Sequence, residues 1–229
     1  MRKSAKKGFA FLALTSILLA AVPALSGDEP SHGWKRSSAG FWTGFPEVRS
    51  GFSDNGIALE LSLRPGTGVT YSRDGSWASD NAVLQMSTDV IFEGKNEYRT
   101  GEARFPASAT FVFGKDALSL GTKERITLFF RHLWDGFRPS GIRLTYAWGT
   151  RLPVGSMYRL WEEETVFILG GAEEAGKKIV TARQLSRDFQ AAYGRPPKGP
   201  VTKVLIEARM PPEAKTPVQT SITVRFPAD

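Results

Sequence analysis

Apolar and polar residues alternate with a period of two along most of this chain. In IALELSLR (57–64), Ile57, Leu59, Leu61 and Leu63 share one side, and Ala58, Glu60, Ser62 and Arg64 share the other. That is the pattern of a half-buried strand, and Pro65-Gly66 stops it. In VQTSITVRF (218–226), Val218, Thr220, Ile222, Val224 and Phe226 alternate in the same way with Gln219, Ser221, Thr223 and Arg225. Further strands are predicted at AVLQMSTDVIF (82–92), ASATFVF (107–113), RITLFFRHL (125–133), IRLTYAW (142–148), ETVFIL (164–169), KKIVTA (177–182) and VTKVLIEA (201–208). One segment departs from the period. In RQLSRDFQAAYG (183–194) the apolar residues Leu185, Phe189, Ala192 and Tyr193 form a helical stripe. Gly194 stands where a C-cap glycine belongs, and Pro196-Pro197 ends the helix. Many short strands separated by turn residues, with one short α-helix near the C-terminal third, predict a mainly β protein: an antiparallel β-sandwich.

The first residues change the picture of where the chain works. MRKSAKKG is basic and has no acid, and FAFLALTSILLAAV follows as an apolar run. At roughly 14 residues the run is within signal-peptide range and short for a membrane span. The small residues of Ala24-Leu25-Ser26 suit cleavage before Gly27, with cleavage after Ala24 or retention as a signal anchor as the alternatives. The organisation expected is a signal peptide over 1–26, an irregular entry segment over 27–56 pinned by Trp34, Phe41 and Trp42, and a single β-sandwich domain over 57–229. The location expected is periplasmic or secreted, with no stable membrane span after cleavage. There is no cysteine, which removes disulfides, thiolate metal sites and cysteine nucleophiles.

The chain carries 30 Lys and Arg against 23 Asp and Glu. Arg2, Lys3, Lys6 and Lys7 leave with the signal and take no acid with them. The mature protein is thus only mildly basic, about +3, which makes no electrostatic case for nucleic acid.

Candidate chemistry is sparse. His132 shares the parity of Ile126, Leu128 and Phe130 and reads as a core or core-edge residue, and His32 lies in the entry segment. The zinc, nucleotide-loop and nucleophile-elbow motifs are missing from the sequence, so it implies no catalytic residue, no metal and no cofactor. Two acidic features stay open. Glu162, Glu163 and Glu164 enter a strand, where paired carboxylates could hydrolyse a glycoside but a solvated strand edge is the commoner outcome. SRDGSWASDN (72–81) offers Asp74, Asp80 and Asn81 as oxygen ligands for calcium, without the spacing of an EF-hand.

Aromatic residues carry the stronger signal. Trp134, Trp148, Tyr158 and Trp161 fall at strand ends or in loops beside Asp135 and Arg138, Arg151, and Arg159. A flat ring with a neighbouring guanidinium or carboxylate is a way to hold a sugar: the ring stacks and the charged groups fix the hydroxyls. The same aromatics could instead cap the core beneath the loops.

IRLTYAWGTRLPVGSMY (142–158) and TVFILGGAEEAGKKIVTARQLSRDFQAAYGRPPKGPVTKVLI (165–206) contain a strand ending in Trp148-Gly149 and a Leu-Pro-x-Gly turn. They also contain an Arg183-to-Asp188-Phe189 helix and a Tyr193-Gly194 cap. In these motifs the chain resembles domain-of-unknown-function family 3047, a group of exported bacterial proteins, and FPASATFVF (105–113) resembles that family's central strand. The resemblance implies a jelly-roll-like sandwich and an exported location, and no reaction. Two departures put any acidic site of the relatives in doubt here. Gly101-Glu102-Ala103-Arg104 stands where an acidic pair is usual, and ARMPPEAKTPVQ (208–219) replaces an Asp-rich loop with three prolines and Glu213.

The functional expectation is therefore an exported, non-catalytic β-sandwich that binds a glycan through Trp134, Asp135, Arg138, Trp148, Arg151, Tyr158 and Trp161. The alternatives are a glycan hydrolase or lyase using Glu162 to Glu164, Tyr158 or His132, and an envelope protein whose aromatic loops meet another protein.

Overall fold

The computed structural model describes residues 30–38, 44–77, 80–89, 105–116, 141–149, 152–210 and 216–227. Its strands are β1 (Lys35–Ser38), β2 (Glu47–Ser53), β3 (Gly56–Leu63), β4 (Gly68–Trp77), β5 (Asn81–Thr88), β6 (Ser108–Phe113), β7 (Ile142–Trp148), β8 (Met157–Trp161), β9 (Glu164–Gly170), β10 (Ile179–Gln184), β11 (Val201–Arg209) and β12 (Val218–Arg225). They form a seven-stranded sheet, in the order β1-β4-β11-β6-β7-β9-β8, and a five-stranded sheet, in the order β10-β5-β12-β3-β2. Among the described residues, α1 (Leu185–Tyr193) is the one α-helix.

The strands with clean alternation lie close to where their pattern put them. The strand expected over 125–133 falls outside the described residues. Three expectations need correction. The segment expected to be irregular over 27–56 holds β1 and β2. In β2 the core side is Val48, Ser50 and Phe52, so a serine and the following glycine interrupt the apolar period that would have revealed a strand. The segment 72–81, where a calcium loop was an open alternative, is largely β4, which lies between β1 and β11. Finally, the pairings are not uniformly antiparallel: β7 and β9 run parallel. The chain leaves β7, turns through Pro153 to Ser156, and runs outward as the edge strand β8. It then comes back through Glu162-Glu163 as β9, which inserts between β8 and β7.

One apolar cluster draws on both sheets. Leu59, Leu61, Leu84, Met86 and Ile222 come from the five-stranded sheet; Tyr71, Phe111, Leu144, Tyr146 and Ile206 come from the seven-stranded one. Aromatic rings cross between them. Phe226, which follows β12, stacks on Trp77 at 5.2 Å and meets the edge of Phe111 at 5.8 Å; Phe111 in turn meets Tyr146 at 5.7 Å. Such offset and edge-on pairs each add stability beyond the area they bury.

Helix α1 closes one side of this core by its predicted stripe. Leu185 and Phe189 are buried, and Ala192 and Tyr193 pack partly against the cluster. Phe189 meets Phe113 at 4.7 Å and Tyr193 at 4.9 Å. Gly194 has φ +72° and its N–H bonds to the Gln190 carbonyl, as a C-cap glycine should. At the other end the cap comes from a distant residue: Asp80 accepts from the Ser186 backbone N–H and hydroxyl, and its carbonyl accepts from Leu185. Asp80, an open candidate for a calcium ligand in the sequence, thus caps the helix. Asp74, its intended companion, pairs instead with Lys203 at 3.1 Å.

Phe189 touches rings on two elements and is fully buried. Replacing it with alanine is expected to cost about 3–5 kcal/mol in urea melts. A loss under ~1 kcal/mol would show that α1 is peripheral to the core.

Candidate binding face

Each core strand of the seven-stranded sheet has a second side. Along β7 the core takes Ile142, Leu144, Tyr146 and Trp148, which leaves Arg143, Thr145 and Ala147 on the outer side. Cross-strand partners point the same way, so the register builds rows across that outer face. One row runs Asp74, Lys203, Val112, Arg143, Glu164, Trp161. The next runs Ser72, Leu205, Thr110, Thr145, Val166, Tyr158. Two adjacent rows therefore end in aromatic rings on the edge strand β8, and both rings are half-buried.

The middle of the face is buried and polar. Arg143 is 3% exposed and bonds Glu163 at 3.0 Å and Glu164 at 3.2 Å. The Thr145 hydroxyl donates to Glu164 at 2.8 Å and shares a 2.8 Å hydrogen bond with Thr110. The Arg143 backbone N–H donates to the Glu163 carbonyl at 2.7 Å, and its carbonyl accepts from the Tyr193 hydroxyl at 3.0 Å. A buried guanidinium needs this many partners, because removing it from water without them is prohibitively costly. Beside it lies a small apolar cluster of Phe105, Ala147, Val166 and Ile168, against which Tyr158 and Leu160 pack.

The glutamate run is thus corrected in place. Its expected solvated edge exists only at Glu162, which is exposed. Glu163 and Glu164 are buried and, contrary to simple alternation, both turn to Arg143. Glu163 can do so because it sits in the β8–β9 turn, where strand parity does not apply. Arg143 itself went unnoticed in the sequence, although a lone cation inside the apolar run IRLTYAW was the available signal.

Of the residues expected to bind ligand, Trp134, Asp135, Arg138 and Arg151 lie outside the described residues, as does His132. Trp148 is no strand-end platform: it is 2% exposed and belongs to the core. Its indole covers Gly170, where a Cβ would come within 2.7 Å of the ring. Parity explains the position, since Trp148 continues the inward series from Ile142. The turn beyond it is shaped by backbone. Gly155 has φ +82°, a conformation that favours glycine, and the Ser156 N–H donates to the Pro153 carbonyl at 3.1 Å. Of the expected residues that are described, Tyr158 and Trp161 fall on neighbouring rows at the edge strand β8, both half-buried.

A second polar group sits where α1 meets the core. The Tyr146 hydroxyl donates to Asp188 at 2.6 Å, and Arg183 donates to the same carboxylate oxygen at 2.8 Å. Burial, and then the Asp188 charge, push the Tyr146 hydroxyl well above its ordinary range. Tyr193 is pushed up to about 12, chiefly by burial. Among the described residues, no group of three or more His, Asp or Glu side chains is placed to hold a metal ion, and no helix is long and apolar enough to cross a membrane.

No protein-family profile and no curated protein matches the chain. A solved structure titled "Structure of PfGH50B" is similar at 11% identity and a TM-score of 0.26, over 85% of this chain and 22% of that one. The chain thus spans about a fifth of that structure's length.

Removing Arg143 leaves two buried carboxylates facing each other. Arg143→Met is expected to cost about 3–5 kcal/mol in denaturant melts, and a cost below ~1 kcal/mol would mean the cluster is solvated. Alkaline pH provides a second test. Tyr193 keeps its proton in the folded state to about pH 12, whereas an unfolded tyrosine loses it near pH 10. Between those values the unfolded state binds fewer protons, so stability falls as pH rises, by up to about 2–3 kcal/mol. Tyr193→Phe should flatten this decline in melts from pH 9 to 12; an unchanged slope would contradict the assignment.

Proposed function

We propose that the protein is an exported β-sandwich of the jelly-roll kind, related to family 3047, that binds a glycan without carrying out a reaction on it. The observation that carries this reading is the register that sets Tyr158 and Trp161 at the ends of two neighbouring rows. Rings held in this way offer stacking area, and the adjacent strand ends offer polar groups to sugar hydroxyls. The question of chemistry turns on the glutamates. Hydrolysis needs one carboxyl free to give a proton and another free to attack or activate water. Glu163 and Glu164 are both engaged by Arg143, and Glu164 also by Thr145. Carboxylates committed to a buried cation suit a scaffold better than an acid–base pair. Export rests on the basic, acid-free start of the chain and the apolar run after it. Trp134, Asp135, Arg138 and Arg151 remain proposed members of the same site.

The test is a glycan array followed by calorimetry on the hits, with wild type, Tyr158→Ala and Trp161→Ala. Each variant is expected to weaken binding about fivefold or more, since one stacked ring contributes ~1 kcal/mol or more. Unchanged affinity in both, with circular dichroism intact, would remove β8 as the site. Release of reducing ends from a bound glycan, lost in Glu163→Gln, would replace binding with hydrolysis.

A further inference from the structure

We infer that the glycan is acidic, a uronate-bearing polysaccharide, and that Arg159, Arg187 and Lys198 hold its carboxylates along the outer side of α1. The inference rests on the glycan reading above and narrows its ligand class.

Charge is not spread evenly over this protein. Residues 175–206 carry seven cations and a single acid, Asp188, with Glu173, Glu174 and Glu207 flanking the stretch. Three of the seven are committed to carboxylates: Arg183 to Asp188, Arg195 to the buried Asp116, and Lys203 to Asp74. Arg187 and Lys198 are exposed, and neither joins an ion pair among the described residues. Arg187 lies on the turn of α1 between Leu185 and Phe189, which face the core, and so looks outward. Lys198 follows in the proline-bearing loop that Asp116 anchors through the Lys198 N–H at 2.8 Å.

Arg159 joins them from another element. It lies on β8 between Tyr158 and Trp161, exposed, with its guanidinium 2.8 Å from the Ala192 carbonyl and 5.1 Å from the Tyr193 ring centroid. One edge strand thus carries stacking rings on the sheet's outer side and a cation turned toward the end of α1. A polymer that crosses that edge would meet the rings on one side and Arg159 on the other. A uronate sugar has the two features such an edge selects: a ring face to stack and a planar carboxylate that matches a guanidinium fork. A lipid surface is read by cations set around protruding large apolar side chains. The outer side of α1 exposes Gln190 and Ala191 beside Arg187, although Val154 and Met157 stand exposed at and before the start of β8, so vesicles are an arm of the test.

Calorimetry at 0.15 M salt with polygalacturonate and its fully methyl-esterified form tests this, using wild type, the double variant R187Q/K198Q, and R159Q/R187Q/K198Q. The acid form is expected to bind wild type at least tenfold more tightly than the ester. The triple variant should lose that advantage and the double variant most of it, with affinity for the ester unchanged. Equal affinity of wild type for acid and ester overturns the acidic class and leaves the glycan reading standing. Failure to bind either polymer overturns the inference, and a blank neutral-glycan array beside it removes the reading beneath. Equal binding to polyglutamate, or preference for phosphatidylglycerol vesicles, also overturns it, because the cations would then be reading charge without a sugar.

Discussion

A guanidinium buried to 3% exposure has to be neutralised where it stands, and much of the seven-stranded sheet follows from how this is done for Arg143. Two carboxylates reach it, and both come from the return of the β8–β9 hairpin: Glu163 in the turn and Glu164 at the first position of β9. The same contact brings the Arg143 N–H onto the Glu163 carbonyl. The start of β9 is thereby tied to the start of β7, and the two strands must run the same way. A parallel pair inside an otherwise antiparallel sheet is the consequence. With β9 seated beside β7, its hairpin partner β8 is left at the edge, and the pairing of Tyr158 with Val166 and Trp161 with Glu164 follows. The candidate binding edge is thus a product of a buried charge cluster three strands wide.

A pair of this kind is not cheap stability. Desolvating one cation and two acids costs more than an equally sized apolar cluster would, and the gain lies in specificity. An apolar plug in place of Arg143 would tolerate a slip of β9 along β7. A guanidinium with two directed carboxylates and a Thr145–Thr110 hydroxyl relay does not. The polar group at the other side of β7 has a similar logic. Tyr146 projects into the core, yet its hydroxyl reaches Asp188 in the first turn of α1. Arg183, just before the helix, closes the set over the Tyr146 ring at 5.3 Å. β7 therefore fixes the position of β9 by its outer side and of α1 by its inner side.

The legible parts of the fold are those where one residue's role is decided by its neighbours in sequence. The period of two in β3 and β12, and the stripe and glycine cap of α1, depend on local geometry alone. What escaped the sequence depends on distant partners. β4 left a calcium loop open because its outward positions are polar, and it takes Lys203 on β11, with Lys35 on β1, to show that Asp74 is an ion-paired strand residue. Asp80 looked like a ligand because its real partner, Ser186, lies 106 residues away. Trp148 is a different case. Its parity with Ile142, Leu144 and Tyr146 was present in the sequence and places it inward, but its position at a strand end outweighed the period. At a strand terminus, parity remains the better guide for as long as the ladder continues, and here it runs to the pairing of Trp148 with Gly170.

That last pairing also explains why the aromatic signal divided as it did. Trp148 needs a partner strand position without a side chain, and Gly170 provides it: any Cβ there would strike the indole. The register shift between Ala147 and Trp148 brings Gly170 opposite the ring in place of Leu169. β8 has its own irregularity, between Arg159 and Trp161, and it acts in the opposite sense. Tyr158 and Trp161 stand three positions apart, an odd spacing that regular alternation would send to opposite sides of the sheet. The irregularity absorbs one residue, so both rings fall on the outer side while Arg159 between them turns to α1. Two small breaks in register thus decide that one tryptophan seals the core and that another, with its tyrosine neighbour, is left at an edge where a ligand can reach it.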